Sequence, residues 1–298
     1  MPALATPRCA IALAMLATLA MTAEGGAATD AGQRDAFGIT KEYPTAPNGK
    51  TWTSKHWANG KARTITGRDP DDPTGMSANR SDQAELYVDG AGKLQFLGNG
   101  AEAEPRLHVG SAPSFFFKNV EITFYYWKTK DADVDWGGMV VGARSGPEGH
   151  SQTGQYCTAN TYYARFRNDG SADFEKELKH PGSAFRNRTN IWNGATDLPA
   201  GKWVGMKYVV YDVTVAGKPG VKLELYRDMT QGANGGTWEK IAETVDSGGW
   251  APPQPEPPCT NKPSDYVPIE PGVIVLRNTG SIKNTYKWLS AREITPPA

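Results

Sequence analysis

Basic and aromatic side chains alternate along two neighbouring runs of the chain. The first run, Thr161 to Arg167, carries Tyr163, Arg165 and Arg167; the second, Ala172 to His180, carries Lys176 and ends on His180. Alternate residues of a strand point to one face. With Asp169-Gly170 as a two-residue turn, Tyr163, Arg165, Arg167, Phe174, Lys176, Leu178 and His180 share a face. The other face then carries Tyr162, Phe166, Asp173, Glu175 and Glu177. A one-residue change in loop length breaks this grouping. A basic face without a carboxylate suits a chain of uronic acids, because arginine grips a carboxylate with two hydrogen bonds and tyrosine packs on sugar rings. The same pattern also suits a solvated strand pair whose arginines form cross-strand ion pairs with Glu175 and Glu177.

Arg106 and His108 lie two apart and therefore also share a face. β-Elimination at a uronate needs its carboxylate neutralised, its C5 proton removed and the leaving oxygen protonated. Arginine suits the first task, histidine or tyrosine the second, and tyrosine the third. The expected catalytic residues are Tyr163, His108 and His180, with Arg106, Arg165, Arg167 and Lys176 binding substrate. His56, beside Trp52 and Trp57, is a candidate for a loop where His56 and Trp57 stack on sugar. His150 is a loop residue with no nameable partner. No cofactor is required by this chemistry. Asp131, Asp133 and Asp135 are spaced like the start of a calcium loop, but Trp136 and Gly142 stand where an EF-hand needs glycine and glutamate. A structural calcium at that loop, or near Asp69, Asp71 and Asp72, is the alternative use of these carboxylates. P-loop, G-x-S-x-G and HExxH motifs do not occur.

The elements that must position these residues read as strands. Ala84 to Val88 and Lys93 to Leu97 flank Asp89-Gly90, a hairpin signal. Val120 to Trp127 is rich in aromatic and β-branched residues, which fit a pleated surface. The continuous apolar run Met139 to Ala143 predicts a central strand covered on both faces. Val221, Leu223 and Leu225 alternate with Lys222, Glu224 and Tyr226, which predicts one buried face. Lys202 to Tyr211, Val273 to Leu276 and Tyr286 to Leu289 complete the pattern. No helical periodicity interrupts it between Ile39 and Ile294, so the fold class is all-β, a two-sheet antiparallel sandwich or jelly roll. The proline-rich stretch Ala251 to Pro258 reads as a rigid surface loop.

Residues 1–28 have the layout of a secretory signal peptide: Arg8, then an apolar run from Cys9 to Met21, then small residues. The run is too short to span a bilayer, and membrane insertion is not expected. Residues 29–298 are then a single β-sandwich domain, secreted or periplasmic and monomeric. Removing the leader leaves two cysteines, Cys157 and Cys259, which an oxidising compartment favours as one disulfide. The 32 basic and 32 acidic side chains give a formal net charge of zero. That balance offers no global attraction to nucleic acid.

Leu198-Pro199-Ala200-Gly201-Lys202-Trp203-Val204 and the following Gly220 to Asp228 resemble the paired strand motifs of the concanavalin-A-like superfamily of lectins, laminin-G modules and jelly-roll polysaccharide enzymes. Tyr162 to Arg167 with Phe174 to Leu178 loosely resembles polysaccharide lyases of the glucuronan-lyase type. The E-x-D-x-x-E signature of sandwich glucanases is missing, as are the RSELR, QIH and YxKAGxYNQ strands of common alginate lyases. The resemblance implies a secreted jelly roll acting on an anionic polysaccharide, either a lyase working on the concave sheet face or a non-catalytic lectin-like module. Fold alone does not choose between them.

Overall fold

Strands dominate the described residues, which contain no α-helix. The computed structural model describes residues 33–79, 84–98, 105–110, 112–131, 134–135, 137–146, 156–192 and 197–297. Residues 1–28, Asp133 and His150 lie outside them, as does the side chain of Asp131. Gln33–Ala298 form one compact unit. The strands are β1 (Thr51–Thr53), β2 (Arg63–Ile65), β3 (Arg68–Asp69), β4 (Asp72–Asn79), β5 (Ala84–Val88) and β6 (Lys93–Gly98). They continue with β7 (Arg106–Val109), β8 (Val120–Asp131), β9 (Gly138–Ser145), β10 (Thr161–Arg167), β11 (Ser171–Lys179) and β12 (Gly182–Asn190). The last are β13 (Trp203–Val215), β14 (Lys218–Asp228), β15 (Trp238–Asp246), β16 (Val273–Thr279) and β17 (Ser281–Glu293).

These strands make two antiparallel sheets. A nine-stranded sheet runs β15-β14-β13-β8-β17-β6-β5-β2, with β1 paired to β17. An eight-stranded sheet runs β12-β11-β10-β9-β16-β7-β4-β3. Their inner faces interdigitate in one apolar core. Leu107, Met139, Val141, Tyr162, Phe166, Phe174 and Leu276 come from the eight-stranded sheet. Ile122, Phe124, Tyr126, Met206, Tyr208, Leu223 and Leu225 come from the nine-stranded sheet. The chain is therefore the all-β jelly-roll sandwich its sequence predicts. β9 is buried at every position, and β5–β6 form the expected hairpin.

β14 departs from its simple alternation. Val221, Leu223 and Leu225 face the core, but Glu224 on the reverse is only 2% exposed. Residues near the start of the unit cross that outer face. Tyr43 Oη donates to Glu224 Oε2 (2.7 Å), and Glu42 N and Tyr43 N donate to the Glu121 carboxylate. Burial by itself would raise the Glu224 carboxyl, but bonds from Tyr43, Lys240 and Tyr226 outweigh it and hold the group below its ordinary range.

The β10–β11 hairpin corrects the two-residue-turn register. Ala164 pairs with Phe174, Arg165 with Asp173 and Tyr163 with Glu175. The connection is Asn168-Asp169-Gly170, not Asp169-Gly170. Asp169 Oδ1 accepts from Ser171 N (3.0 Å) and Ser171 Oγ (2.5 Å), and Gly170 adopts φ 75°. The added residue moves β11 by one position and exchanges its faces. Packing explains the choice: Phe174 and Leu178 are fully buried, each worth about 1.5–3 kcal/mol over an exposed position. The other register would send both outward and bring Asp173, Glu175 and Glu177 into the core.

Candidate functional site

The outer face of the eight-stranded sheet carries two cross-strand rows. One runs Arg165, Val140, Arg277, Arg106 across β10, β9, β16 and β7. The next runs Tyr163, Gly142, Val275, His108 across the same strands. Asp173, Glu175 and Glu177 on β11 lie beside them, with Phe185 of β12 opposite Glu175. A cleft of about 450 Å³ opens here, lined by Arg165, Glu175, Glu177, His180, Phe185 and Arg277. Its wall is Pro181, Gly182, Ser183 and Pro253.

That wall is held from several sides. Cys157 and Cys259 form a disulfide, as the cysteine count predicts, closing a separation of 102 residues just past the proline-rich stretch. Lys179 Nζ donates to Pro255 O (2.6 Å) and to Pro257 O. Lys262 Nζ donates to Cys157 O (2.5 Å). These contacts tether the stretch from Ala251 to Pro258, whose Pro253 lines the cleft.

The arginines of the cleft are matched by carboxylates, because the true register brings three acids to their face. Arg165 donates through Nε and Nη2 to both oxygens of Asp173 (2.6 and 2.7 Å). Glu175 Oε2 lies 3.2 Å from Arg165 Nη1 and 3.9 Å from Arg277 Nη2, yet neither guanidinium is aligned to donate to it. Arg188 Nε donates to Asp173 Oδ2 (3.2 Å). The expectation of a basic stripe without carboxylates is overturned; the cross-strand ion-pair alternative holds for Arg165 and Glu175.

His180 Nδ1 meets Glu177 Oε1 at 2.7 Å, which orients the imidazole. Tyr163 lies beneath, fully buried, with the Arg277 guanidinium 5.2 Å from its ring centre. A Cβ added at Gly142 would stand 2.7 Å from Tyr163 Cε1, so the absent side chain makes room for this ring. Burial pushes the Tyr163 hydroxyl well above the usual tyrosine range, with Glu177 adding to the rise. It stays protonated, a hydroxyl that can donate as well as accept. His108 occupies the row of Tyr163 but three strands away, about 14 Å at the backbone.

Four sequence-predicted residues stand elsewhere. Lys176 faces the core, fully buried, and its Nζ pairs with Asp246 Oδ2 at 2.7 Å. Arg167 turns back to Asp169 in its own loop, Nη2 to Oδ2 at 2.8 Å. Trp57 is also fully buried, its Nε1 donating to Met76 Sδ (3.4 Å), so it offers no stacking face. His56 Nε2 lies 3.3 Å from Asp69 Oδ2 on β3, six strands from β11 in sheet order. Asp173, Glu175, Glu177, Phe185 and Arg277 were missed as site residues. In-phase Ala172, Phe174 and Leu178 were the available signal for the first three.

Of the carboxylates considered for calcium, Asp69, Asp71 and Asp72 accept from neighbouring side chains: Asp69 takes a bidentate pair from Arg63 (2.7 and 2.6 Å), Asp71 accepts from Asn59 Nδ2 (2.7 Å) and Asp72 from Trp52 Nε1 (2.6 Å). Asp135 is exposed. Among the described residues no group of three or more His, Cys, Asp or Glu is placed to hold a metal ion. Also among them, no helix is long and apolar enough to cross a membrane.

No protein-family model matches the chain, and no curated protein matches it in sequence. Solved structures similar to the chain include the following three. A galectin-like-fold protein from Bacillus subtilis is 14% identical, over 79% of this chain and 96% of that one, with TM-score 0.46. The metal-free Emp46p carbohydrate recognition domain is 11% identical over 82% and 97%, with TM-score 0.47. The VIP36 exoplasmic/lumenal domain, bound to Ca2+ and Man3GlcNAc, is 9% identical over 79% and 90%, with TM-score 0.42.

Proposed function

We propose that the protein is exported, stays monomeric and binds a polysaccharide in the cleft on the outer face of the eight-stranded sheet. The observation that carries this reading is the lining itself. Phe185 is 47% exposed, with the Arg165 guanidinium 4.3 Å from its ring centre. Beside it stand Glu175, close to Arg165 and Arg277, and Glu177, paired with His180. An exposed ring next to preset hydrogen-bonding groups matches a sugar, which presents an apolar face and a rim of hydroxyls.

A second reading is favoured by the His180–Glu177 pair. An imidazole oriented by a carboxylate can remove the C5 proton, Arg165 and Arg277 can neutralise a uronate, and protonated Tyr163 can give its proton to the leaving oxygen as the C4–O bond breaks and the C4–C5 double bond forms. On this reading the protein is a lyase cleaving an acidic polysaccharide by β-elimination. The test is to incubate the mature protein with glucuronan, alginate, pectate and neutral glucans. Retardation in affinity gels reports binding, and ultraviolet absorbance of unsaturated uronates reports cleavage. Binding weakened by Phe185→Ala supports the cleft; no binding to any polymer refutes it. Binding without an absorbance rise leaves the binder and removes the lyase. If cleavage occurs, His180→Ala and Tyr163→Phe should each abolish it.

A further inference from the structure

A like-charged pair of lysines lies on the opposite sheet, with Asp89, whose carboxylate accepts from Ala91 N (2.7 Å) and Lys93 N (2.9 Å), beside it at the turn. On the outer face of the nine-stranded sheet, Lys287 of β17 stands directly across from Lys93 of β6. Like charges in register repel. Among the described residues neither has a carboxylate within ion-pair distance, unlike Arg165 on the other sheet. Lys93 is exposed and Lys287 half-buried.

Aromatic rings surround the pair. Lys287 Nζ lies 3.7 Å from the ring centre of Trp288, 4.4 Å from Trp203 and 5.7 Å from Tyr125. Trp203 packs edge-on against Trp127, with centres 5.7 Å apart. Both indoles and that of Trp288 are half-buried, so each keeps an open surface. The neighbouring cross-strand row runs Trp203, Trp127, Thr285, Gln95, Tyr87 over β13, β8, β17, β6 and β5. Four strand spacings make it about 19 Å long. It places rings at both ends and hydrogen-bonding groups between them. Burial, and then Lys93, push the Lys287 ammonium down to about 8, as expected of a cation that lacks a counter-ion.

We propose that this face is a second saccharide-binding surface, selective for an acidic sugar, whose carboxylate sits between Lys93 and Lys287 while its rings lie on Trp127 and Trp203. The anion supplies the charge that the like-charged pair lacks. The indoles supply apolar area that a small free anion cannot use, and the row gives a linear chain a direction across the strands. A single-stranded nucleic acid would also meet rings and cations, but the chain has no net positive charge.

The test uses tryptophan emission of the full mature protein, titrated with a short oligogalacturonate, a neutral cello-oligosaccharide of equal length and an oligothymidylate. It is run on the wild type and on a cleft variant, Arg165→Gln with Arg277→Gln. The expected result is quenching by the acidic sugar in both. Lys93→Gln should weaken it several-fold, and Lys93→Gln with Lys287→Gln, or Trp127→Ala, by about tenfold or more. Lys93 is exposed, so its replacement tests the site without threatening the fold. Affinity in the cleft variant unmoved by Lys93→Gln and by the double lysine change would overturn the proposal. So would equal affinity for the neutral sugar or for the oligonucleotide. Loss of all binding in the cleft variant removes this surface and keeps the cleft; loss only in the lysine variants keeps this surface and removes the cleft.

Discussion

Asp246→Asn should destabilise the protein strongly while leaving any ligand binding in the cleft unchanged. Lys176 and Asp246 are both fully buried and pair at 2.7 Å. Tyr162 Oη donates to the same Asp246 oxygen (2.6 Å), and Gly248 N donates to Oδ1 (3.1 Å). An asparagine keeps the shape and most of these bonds but strands Lys176 without a counter-ion. Breaking a buried pair from one side costs about 3–5 kcal/mol. The retained Tyr162 bond argues for the lower end, about 3 kcal/mol. At about 2–4 °C per kcal/mol for a domain of this size, the Tm should fall by about 6–12 °C. Burial already pushes the Lys176 ammonium below its ordinary value, although Asp246 opposes this. Without Asp246 it falls further. A lysine depressed in the folded state destabilises at neutral pH, and the deficit vanishes as pH rises towards the unfolded value near ~10.4. Urea denaturation of Asp246→Asn at neutral pH and at pH near 10 checks both magnitude and sign. Lys176→Met with Asp246→Leu should restore most of the loss, since an apolar pair replaces an ionic one. Should Asp246→Asn lose less than about 0.5 kcal/mol, and Lys176→Met abolish saccharide binding, Lys176 faces the cleft and the three-residue turn is wrong.

Other perturbations address separate parts of the fold. Cys157→Ser with Cys259→Ser should cost about 2–5 kcal/mol, and intact mass without reductant should show two fewer hydrogens in the wild type than in its reduced form. Lys287→Met should stabilise the protein at neutral pH by about 1–2 kcal/mol; the wild type should itself gain stability as pH rises from about 8, where burial and Lys93 place this lysine, towards the unfolded value. Asp228 anchors residues 230–237 by accepting from Thr230 N, Thr230 Oγ1, Gly232 N and Thr237 N, and also from Tyr125 Oη. Burial would raise its carboxyl, but these bonds outweigh it and hold the group below the usual range. Its contribution is therefore complete above the unfolded value near ~3.9 and lost as pH falls through the lower folded value. Asp228→Asn should cost about 1–3 kcal/mol, followed by thermal unfolding.

Where a strand's two faces differ in polarity, its orientation was legible from sequence: β14 and the β5–β6 hairpin follow from alternation and turn chemistry alone. The β10–β11 hairpin failed at one residue. Asp169 uses its side chain to tie Ser171, and that local bond lengthens the turn. Grouping Ala172, Phe174 and Leu178 with Tyr162 and Phe166 would have corrected it, because apolar residues of paired strands must reach the same core. Lys176 disguised the pattern by occupying an inward position with a buried partner far along the chain. Arg277 and the row through Trp127, Gln95 and Tyr87 could not be read locally. Sheet order places β16 beside β9 and β7, and β17 between β8 and β6. Residues that meet on these faces come from strands remote in sequence, and no spacing rule encodes that.

The two outer faces use charge in different ways, and salt should separate them. On the eight-stranded sheet Arg165 is 3% exposed and held in two bonds by buried Asp173. Such a group is set before a ligand arrives, and its interactions are weakly screened because water is excluded. On the nine-stranded sheet Lys93 is exposed and the pair lacks a carboxylate, so a bound anion is attracted largely through solvent. At 0.1 M salt the screening length is about 10 Å, and at 1 M about 3 Å. Raising salt over that range should therefore weaken acidic-sugar binding several-fold in the Arg165→Gln, Arg277→Gln variant, which retains only the lysine surface. In the Lys93→Gln, Lys287→Gln variant, which retains only the cleft, affinity should change less than about twofold. Equal salt dependence in both variants would mean that the buried ion pairs do not preset the cleft. The formal charge of zero would then describe both sites alike rather than a neutralised cleft and a basic lysine pair.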